Sequence, residues 1–245
     1  MKKLRLDQAL VEAGLAPSRR QAQALIMTGQ VRVDGKLTDK AGHLVADDAE
    51  LKVLVPPPYV SRGGEKLASV AEQLKLDFKG KVVMDVGAST GGFSDYALKA
   101  GAQKIYSIDV GTGQLDYRLR TDEKVVVMEK TDIRDVAKLP DKIDLVLVDV
   151  SFISLRLVLP AVVKLAGPNT PIVALAKPHF EADYKTASMH RGVIKNNAIR
   201  RQILKKVEDQ LKHRFKIVAK ADSKVTGRKG NRERFYLLKL LASGK

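Results

Sequence analysis

The 245-residue chain contains no cysteine. This absence excludes disulfides, thiolate zinc sites, iron–sulfur clusters and cysteine nucleophiles. It also excludes methylation of a pyrimidine at carbon 5 by the covalent route, because that route needs a thiolate. We therefore expect neither a metal centre nor covalent thiolate chemistry.

Long apolar runs are absent as well. No apolar segment follows the basic start Met1-Lys2-Lys3, and no stretch reaches the roughly eighteen apolar residues that a membrane span requires. We therefore expect no signal peptide, no membrane partner and a cytoplasmic location.

Positive charge is abundant but unevenly distributed. The formal net charge is +16, and residues 177–245 hold 19 lysines and arginines against 6 acidic residues. A local excess of this size indicates a binding site for a polyanion. The alternative is a solvated basic surface without a partner.

The most informative stretch is Lys81 to Leu98. Val82 to Val86 is apolar and β-branched, which predicts a buried strand. The small residues from Gly87 to Gly92 predict a turn, and Phe93 to Ala100 is typical of a helix. A strand, a glycine-rich turn and a helix form the first unit of a nucleotide-binding α/β sheet.

Three classes of ligand are candidates for this turn. A phosphate loop would need a lysine where Phe93 stands, and a dinucleotide site would need a glycine where Ser89 stands. S-adenosylmethionine needs only a tight turn and an acid for its ribose, and Asp109 follows the next strand at the expected distance. A turn without any ligand is the remaining alternative. The candidate cofactor-binding residues are Asp85, Gly87, Ala88, Ser89, Thr90, Gly91, Gly92, Phe93, Asp109, Val110, Asp132 and Asp149.

The pattern of residues 1–55 predicts a small α+β module, with helices at Leu4 to Ala13 and Arg19 to Met27. Its segments resemble the S4 RNA-binding domain, and the carrying residues are Arg5-Leu6-Asp7, Ser18-Arg19-Arg20-Gln21-Ala22, Leu25-Ile26, Gly29-Gln30-Val31 and Val33-Asp34-Gly35. The resemblance implies RNA contacts from Lys3, Arg5, Arg19 and Arg20. The alternative is a packing module with ordinary surface arginines. Three prolines in residues 56–60 indicate a semi-rigid linker.

In residues 61–245, strand patterns alternate with helix patterns and finish with two strands, Phe215 to Ala221 and Phe235 to Leu240, with no helix between them. This order predicts an α/β fold with a Rossmann-like, seven-stranded sheet whose last strand is antiparallel, as in S-adenosylmethionine-dependent methyltransferases. The other strands expected are Lys104 to Ile108, Val125 to Met128, Ile143 to Asp149 and Pro171 to Lys177. Helices are expected near Gln114–Leu119, Ser154–Leu165 and Asn196–His213.

Charged residues stand at the ends of three of these strands. One apolar run stops at Asp149 and another at Lys177, while Glu233 opens the apolar face of the last strand. A carboxylate at such a position needs a nearby cation, either Lys66 or Lys177. Since ligands of such sheets bind at the carboxyl ends of the strands, we expect these side chains to lie together there.

The set Lys66, Asp149, Lys177 and Glu233 matches the Lys-Asp-Lys-Glu set of FtsJ-type ribose 2′-O-methyltransferases. The whole chain resembles the TlyA, or haemolysin A, family of ribosomal RNA methyltransferases. The carrying segments are Tyr59-Val-Ser-Arg-Gly-Gly-Glu-Lys66, Asp85-Val-Gly-Ala-Ser-Thr-Gly-Gly-Phe93, Asp109-Val-Gly-Thr-Gly-Gln-Leu115, Asp149-Val-Ser-Phe-Ile153, Lys177-Pro-His-Phe-Glu181 and Gly230-Asn-Arg-Glu-Arg-Phe235. Thr112 departs from the family, which often has a tyrosine there.

This resemblance implies S-adenosylmethionine-dependent methylation of a ribose 2′-hydroxyl in ribosomal RNA. Lys177 is then the base or the group that orients the hydroxyl, with Asp149 and Glu233 setting its position and Lys66 holding the ribose or a phosphate. The expected partner is ribosomal RNA or a ribosomal subunit. Further candidate RNA contacts are Arg62, Arg228, Lys229 and Arg232.

Other functions remain open at this stage. Base N-methyltransferases usually carry two prolines after the fourth strand, and Asp149-Val-Ser-Phe lacks both. A non-enzymatic RNA-binding assembly factor could use the same fold without binding the cofactor. A pore-forming haemolysin is a further alternative, against which the missing membrane span argues. The sequence leaves monomer and homodimer equally open.

Overall fold

The computed structural model describes residues 3–54, 57–227 and 229–241. The chain divides into two compact units, residues 1–57 and 58–245, and each is described by itself. Val55 and Pro56 of the expected linker region, and the candidate RNA contact Arg228, lie outside the described residues.

The first unit is a small α+β module. Its elements are β1 (Lys3–Arg5), α1 (Leu6–Glu12), α2 (Arg19–Met27), β2 (Val31–Val33), β3 (Lys36–Leu37), β4 (Leu44–Ala46) and β5 (Leu51–Val53). Strand β1 pairs antiparallel with β4, and β2 lies between β3 and β5. Leu6, Leu10 and Ile26 are fully buried and join the two helices to the strands.

The prediction of a helix from Leu4 was wrong at its start, because Lys3–Arg5 pairs with β4 and α1 begins at Leu6. Three residues are too few for a period-2 pattern to be recognised, so the partner strand decides their conformation. The second helix was predicted with its observed limits, and Ser18 caps it by accepting the backbone N–H of Gln21.

The second unit contains the larger sheet. Its elements are α3 (Arg62–Ala71), β6 (Val82–Val86), α4 (Gly92–Lys99), β7 (Lys104–Ile108), α5 (Tyr117–Arg120), β8 (Val125–Met128), a 3-10 turn (Ile133–Asp135), β9 (Leu145–Val148), α6 (Leu155–Ala166), β10 (Ile172–Ala176), α7 (Pro178–Glu181), α8 (Tyr184–Met189), α9 (Asn197–Lys212), β11 (Phe215–Asp222) and β12 (Arg234–Leu240).

The seven strands lie in the order β11-β12-β10-β9-β6-β7-β8. Strand β12 is antiparallel to both of its neighbours, and the pairs among β6 to β10 are parallel. This confirms the predicted sheet with its antiparallel last strand. The chain passes from β6 outward to β7 and β8, and then returns to the other side of β6 through β9. The crevice at the carboxyl ends of β6 and β9 is therefore the switch point where ligands of such sheets bind.

Helices cover both faces of this sheet, so it is buried on two sides. Leu67 of α3 and Phe93 of α4 pack on one face, while Leu159 of α6 and Leu204 of α9 pack on the other. Successive strand residues point to opposite faces, which explains why β9 and β10 are apolar over their whole length and why the charged residues Asp149 and Lys177 appear only after these strands end.

Two regions differ from the sequence prediction. The helix expected at Gln114–Leu119 is confined to Tyr117–Arg120, because the Glu129 carboxylate accepts the backbone N–H groups of Gly113, Gln114 and Leu115. The short helices α7 and α8 were not predicted. Each is shorter than two turns, too short for a helical period to be apparent.

Candidate active site

The turn after β6 is built by close approaches between protein segments. Gly87 has φ +85°, and a Cβ there would lie 2.6 Å from the backbone oxygen of Asp149. A Cβ at Gly92 would lie 2.7 Å from the backbone nitrogen of Gly64 in α3. Glycine at these two positions therefore allows the end of β9 and helix α3 to pack against the turn. From the sequence alone, glycine is expected here only for close approach of a ligand.

A cavity of about 550 Å³ opens beside this turn at the carboxyl ends of β6, β7 and β9. Its wall includes the predicted cofactor residues Gly87, Ser89, Asp109, Val110, Asp132 and Asp149. An adjoining cavity of about 210 Å³ is bordered by Asp85, Gly87, Ala88, Ser89, Thr90, Gly92, Phe93 and Asp149. Gly91 instead stands against Leu115 and Leu119, behind the turn. The two cavities share Gly87, Ser89, Asp149 and Ser151, so they form one continuous site.

Two carboxylates stand on the wall of the larger cavity. Asp109 accepts the backbone N–H groups of Ser89, at 2.8 Å, and Gly111, at 2.7 Å, which ties the end of β7 to the glycine turn. Asp132 is paired with Arg134, whose guanidinium and backbone N–H hold the pKa of Asp132 below its usual range. Both side chains present acceptor oxygens, which are suited to the hydroxyl and amino groups of a nucleoside.

Asp85 is the most deeply buried acid of the site. Its side chain is inaccessible to solvent, and its Oδ2 accepts a 2.7 Å hydrogen bond from Ser94. The other oxygen, Oδ1, has no hydrogen-bond partner in the described part of the chain. Burial raises the pKa of Asp85 to about 7, with the Ser94 hydroxyl opposing the rise and the charge of Asp149 adding to it. A cation reaching Oδ1 would supply the missing partner.

Lys177 and Asp149 form the first ion pair of the site. Lys177 Nζ lies 2.7 Å from Asp149 Oδ1 and donates a 2.9 Å hydrogen bond to Ser151 Oγ. The lysine follows β10 and the aspartate follows the adjacent parallel strand β9, so both residues lie at the same edge of the sheet. Both side chains border the smaller cavity.

Lys66 and Glu233 form the second ion pair. Lys66 Nζ on α3 lies 2.6 Å from Glu233 Oε2, and Glu233 is only 2% exposed. The sequence left either lysine as its partner, and the structure selects Lys66. Gly227 packs over the carboxylate, since a Cβ there would lie 2.5 Å from Glu233 Oε1. Lys66 and Lys177 border the same cavity, so the four predicted catalytic residues meet at one edge of the sheet.

Sequence reasoning missed an aromatic group beside Lys177. Phe152 is 90% exposed and has φ +64°, and its ring centroid lies 5.0 Å from that of Phe180. Phe180 in turn lies 4.1 Å from His179. Burial and nearby lysines lower the pKa of His179 to about 4, so its imidazole is neutral at pH 7. Phe152 has a left-handed backbone conformation, which is uncommon for a residue other than glycine and is not predictable from the sequence pattern.

The predicted RNA contacts of the first unit share one buried acid. Asp7 is fully buried and accepts hydrogen bonds from Arg5 Nε at 3.1 Å and Arg19 Nη2 at 3.0 Å. The Arg5 side chain retains 45% exposure and the Arg19 side chain 51%, so each guanidinium also faces solvent. Lys3 and Arg20 are exposed.

Three predicted RNA contacts of the second unit, Arg62, Lys229 and Arg232, are exposed as well. Arg62 donates to the backbone oxygen of Thr226, which joins α3 to the loop before β12. Lys229 and Arg232 lie on that loop, and Lys229 is one of the cations that lower the pKa of His179. The basic loop therefore borders the candidate active site.

No helix in the described ranges is both long and apolar enough to cross a bilayer. Within residues 3–54, 57–227 and 229–241, no three histidine, aspartate or glutamate side chains are grouped so that they could hold a metal ion.

Comparison with known proteins agrees with this geometry. The FtsJ-like methyltransferase family matches residues 59–240, and the S4 domain matches residues 4–51. "Hemolysin A" of Brachyspira hyodysenteriae is 39% identical over 235 residues, which cover 94% of this chain and 97% of the relative. The "16S/23S rRNA (cytidine-2′-O)-methyltransferase TlyA" of Mycobacterium tuberculosis is 43% identical over 184 residues, covering 74% of this chain and 69% of the relative.

A solved structure described as a candidate hemolysin from Streptococcus thermophilus has a TM-score of 0.72 and 35% identity. The match covers 99% of this chain and 90% of that one. Family and fold therefore agree, and the predicted cofactor is confirmed. The chain belongs to the TlyA/haemolysin A family of S-adenosylmethionine-dependent methyltransferases, with an S4 domain and an FtsJ-like methyltransferase domain.

Proposed function

We propose that this enzyme methylates the 2′-hydroxyl of a ribose in ribosomal RNA, with Lys177 as the group that orients the hydroxyl and, in its neutral amine form, takes the proton. The observation that carries the proposal is the meeting of two lysine–carboxylate pairs, Lys177–Asp149 and Lys66–Glu233, beside the cofactor cavity. The M. tuberculosis relative is named for this chemistry on cytidine.

The residues present fit the cofactor. Asp85 Oδ1 is a buried carboxylate oxygen without a partner, as a site for a cationic ligand requires. Asp109 stands where a ribose hydroxyl would be accepted, and the cavity beside it can enclose an adenosine. When bound, S-adenosylmethionine supplies an electrophilic methyl group on a sulfonium.

A ribose 2′-hydroxyl is a weak acid, so the reaction needs a group that removes its proton as the oxygen attacks. Lys177 Nζ is held in place by its ion pair with Asp149 and by its hydrogen bond to Ser151 Oγ. The third direction of the amine can therefore face a hydroxyl placed in the smaller cavity. Asp149 borders both cavities, so it can hold the amine close to the methyl donor.

Lys66 is suited to a neighbouring role. Its pairing with the buried Glu233 fixes the ammonium at the cavity wall. From there it can contact the ribose or an adjacent phosphate, which orients the 2′-hydroxyl toward Lys177. Fixing the reactants in this way reduces the entropy that must be lost to reach the transition state.

RNA binding by the rest of the chain supports the same substrate. The exposed Phe152 ring offers a stacking surface for an unpaired base next to the candidate active site. Lys229 and Arg232 can contact phosphates near this ring. In the S4 domain, Arg5 and Arg19 can contact phosphates of the same RNA.

The test is mass spectrometry of ribosomal RNA digests after incubation with the protein and isotopically labelled cofactor. We expect a labelled 2′-O-methyl nucleoside with the unmodified protein. Lys177→Ala should abolish labelling while leaving cofactor affinity nearly unchanged, and Lys79→Ala, at an exposed lysine, is the matched control. Equal labelling by Lys177→Ala would remove this lysine from the mechanism. Absence of both cofactor binding and RNA methylation would favour a non-enzymatic RNA-binding role.

A further inference from the structure

Glu181 is a partly buried carboxylate that the proposed chemistry does not use. Its Oε2 accepts a 2.6 Å hydrogen bond from Ser154 Oγ, and its Oε1 accepts a 2.8 Å hydrogen bond from the backbone N–H of Leu155. Burial raises the pKa of Glu181, while these two donors and the charge of Arg156 counter the rise. The carboxylate thus spans from α7 to the first turn of α6.

The two partners of this contact belong to segments that carry the active site. We name residues 149–154 the aspartate segment and residues 177–181 the lysine segment. The lysine segment is one helical turn, closed by hydrogen bonds from the N–H groups of Phe180 and Glu181 to the oxygen of Lys177. A displacement of Glu181 is therefore transmitted directly to Lys177.

Three successive contacts join the two segments. The first is the ion pair Lys177–Asp149, the second is the ring contact between Phe180 and Phe152, and the third is Glu181 with Ser154 and Leu155. The first two lie at the two cavities of the candidate site or face solvent. The third is part-buried and borders a separate cavity between α6 and α9, away from the reacting groups.

We infer that Glu181 is a positioning residue that clamps the lysine segment to the aspartate segment and so holds Lys177, Asp149 and Phe152 in register for methyl transfer. This inference rests on the proposed role of Lys177. Without the clamp, the ion pair alone would have to hold the segments together while the RNA substrate displaces its neighbours. Displacement of a reacting group by about 1 Å can cost on the order of a hundredfold in rate.

The test compares Glu181→Ala, Glu181→Gln and Ser154→Ala with Glu123→Ala, a control at an exposed glutamate. We expect Glu181→Ala to lower kcat on the order of tenfold to a hundredfold, with KM for RNA and Kd for the cofactor changed less than roughly threefold. Glu181→Gln retains an acceptor oxygen for the Leu155 N–H, so it should recover most of kcat. Ser154→Ala removes one of the two contacts and should lie between them.

A second readout follows the aspartate segment without measuring activity. The chain contains no tryptophan, so Phe152→Trp introduces a single fluorophore in that segment. We expect lower fluorescence anisotropy of this tryptophan when Glu181→Ala is added than when Glu123→Ala is added.

The outcomes separate this inference from the proposed function. If Lys177→Ala retains turnover, the proposed role of Lys177 fails whatever Glu181 does, whereas absence of RNA methylation by the unmodified protein would overturn the proposed function itself. If Lys177→Ala is inactive and Glu181→Ala keeps its kcat, the clamp is overturned while the proposed function stands. A common loss of kcat, cofactor affinity and Tm in Glu181→Ala that Glu181→Gln does not rescue would also overturn it, since Glu181 would then serve only the fold. Unchanged anisotropy in the presence of a lowered kcat would overturn it as well.

Discussion

Asp85→Asn should make the protein more stable at neutral pH although it alters a buried residue of the site. The Asp85 side chain is inaccessible to solvent, with one oxygen bonded to Ser94 and the other without a partner among the residues that the structure describes. The amide of asparagine has nearly the same shape and can still accept the Ser94 hydroxyl. The substitution therefore removes the negative charge and leaves the packing in place.

The magnitude follows from the pKa of Asp85, which burial raises from 3.8 to about 7. Between pH 3.8 and about pH 7, the native protein keeps the Asp85 proton, whereas the unfolded chain releases it. The free energy of unfolding therefore falls as the pH rises through this range. Three pKa units correspond to about 4 kcal/mol. The stability gained by Asp85→Asn should therefore grow from near zero at pH 4 to about 4 kcal/mol at pH 8.

Urea unfolding of the cofactor-free protein at several pH values measures this difference. Parallel stability curves for Asp85→Asn and the unmodified protein between pH 4 and pH 8 would refute the reasoning. Cofactor binding provides a second check, because a cation beside Oδ1 favours the charged form of Asp85. Titration calorimetry in buffers of different ionisation enthalpy should show proton release near pH 6.5 from the unmodified protein and none from Asp85→Asn.

Three further substitutions test other contacts. Glu233→Gln leaves the buried ammonium of Lys66 without its partner, which should lower the free energy of unfolding by roughly 3 kcal/mol in urea and abolish methyl transfer. Gly92→Ala places a methyl group against the backbone of Gly64, which should cost about 1–3 kcal/mol and lower cofactor affinity in calorimetry. Asp7→Asn weakens the acid that holds two exposed arginines, so RNA affinity should fall and the salt dependence of binding should flatten in a filter-binding assay.

Local patterns predicted the central strands well. The runs that end at Asp149 and Lys177 are apolar over their whole length, because parallel strands covered by helices are buried on both faces. A charged residue that ends such a run must lie at the sheet edge, so both functional positions were apparent without the fold. The limits of β6, Val82–Val86, were predicted for the same reason.

Contacts between distant segments were not predictable in this way. Glu129 accepts hydrogen bonds from three backbone N–H groups that lie 14 to 16 residues away in the sequence. These groups belong to a loop for which the residue pattern had predicted the start of a helix. Glu181 reaches Ser154 across 27 residues. Short sequence motifs do not predict such contacts, because each contact depends on how separate strands and helices pack.

The sequence by itself determined the type of fold and the edge of the sheet at which Asp149, Lys177 and Glu233 lie, and a family resemblance added Lys66 to this set. The fold and this edge follow from hydrophobic periodicity and from the cost of burying charge, both of which act on neighbouring residues. Tertiary structure alone decided that Glu233 pairs with Lys66, that Asp85 retains a proton near neutral pH and that Phe152 is exposed beside Lys177. Each of these depends on the packing of segments far apart in the chain, which sets distances and solvent access that no local pattern specifies.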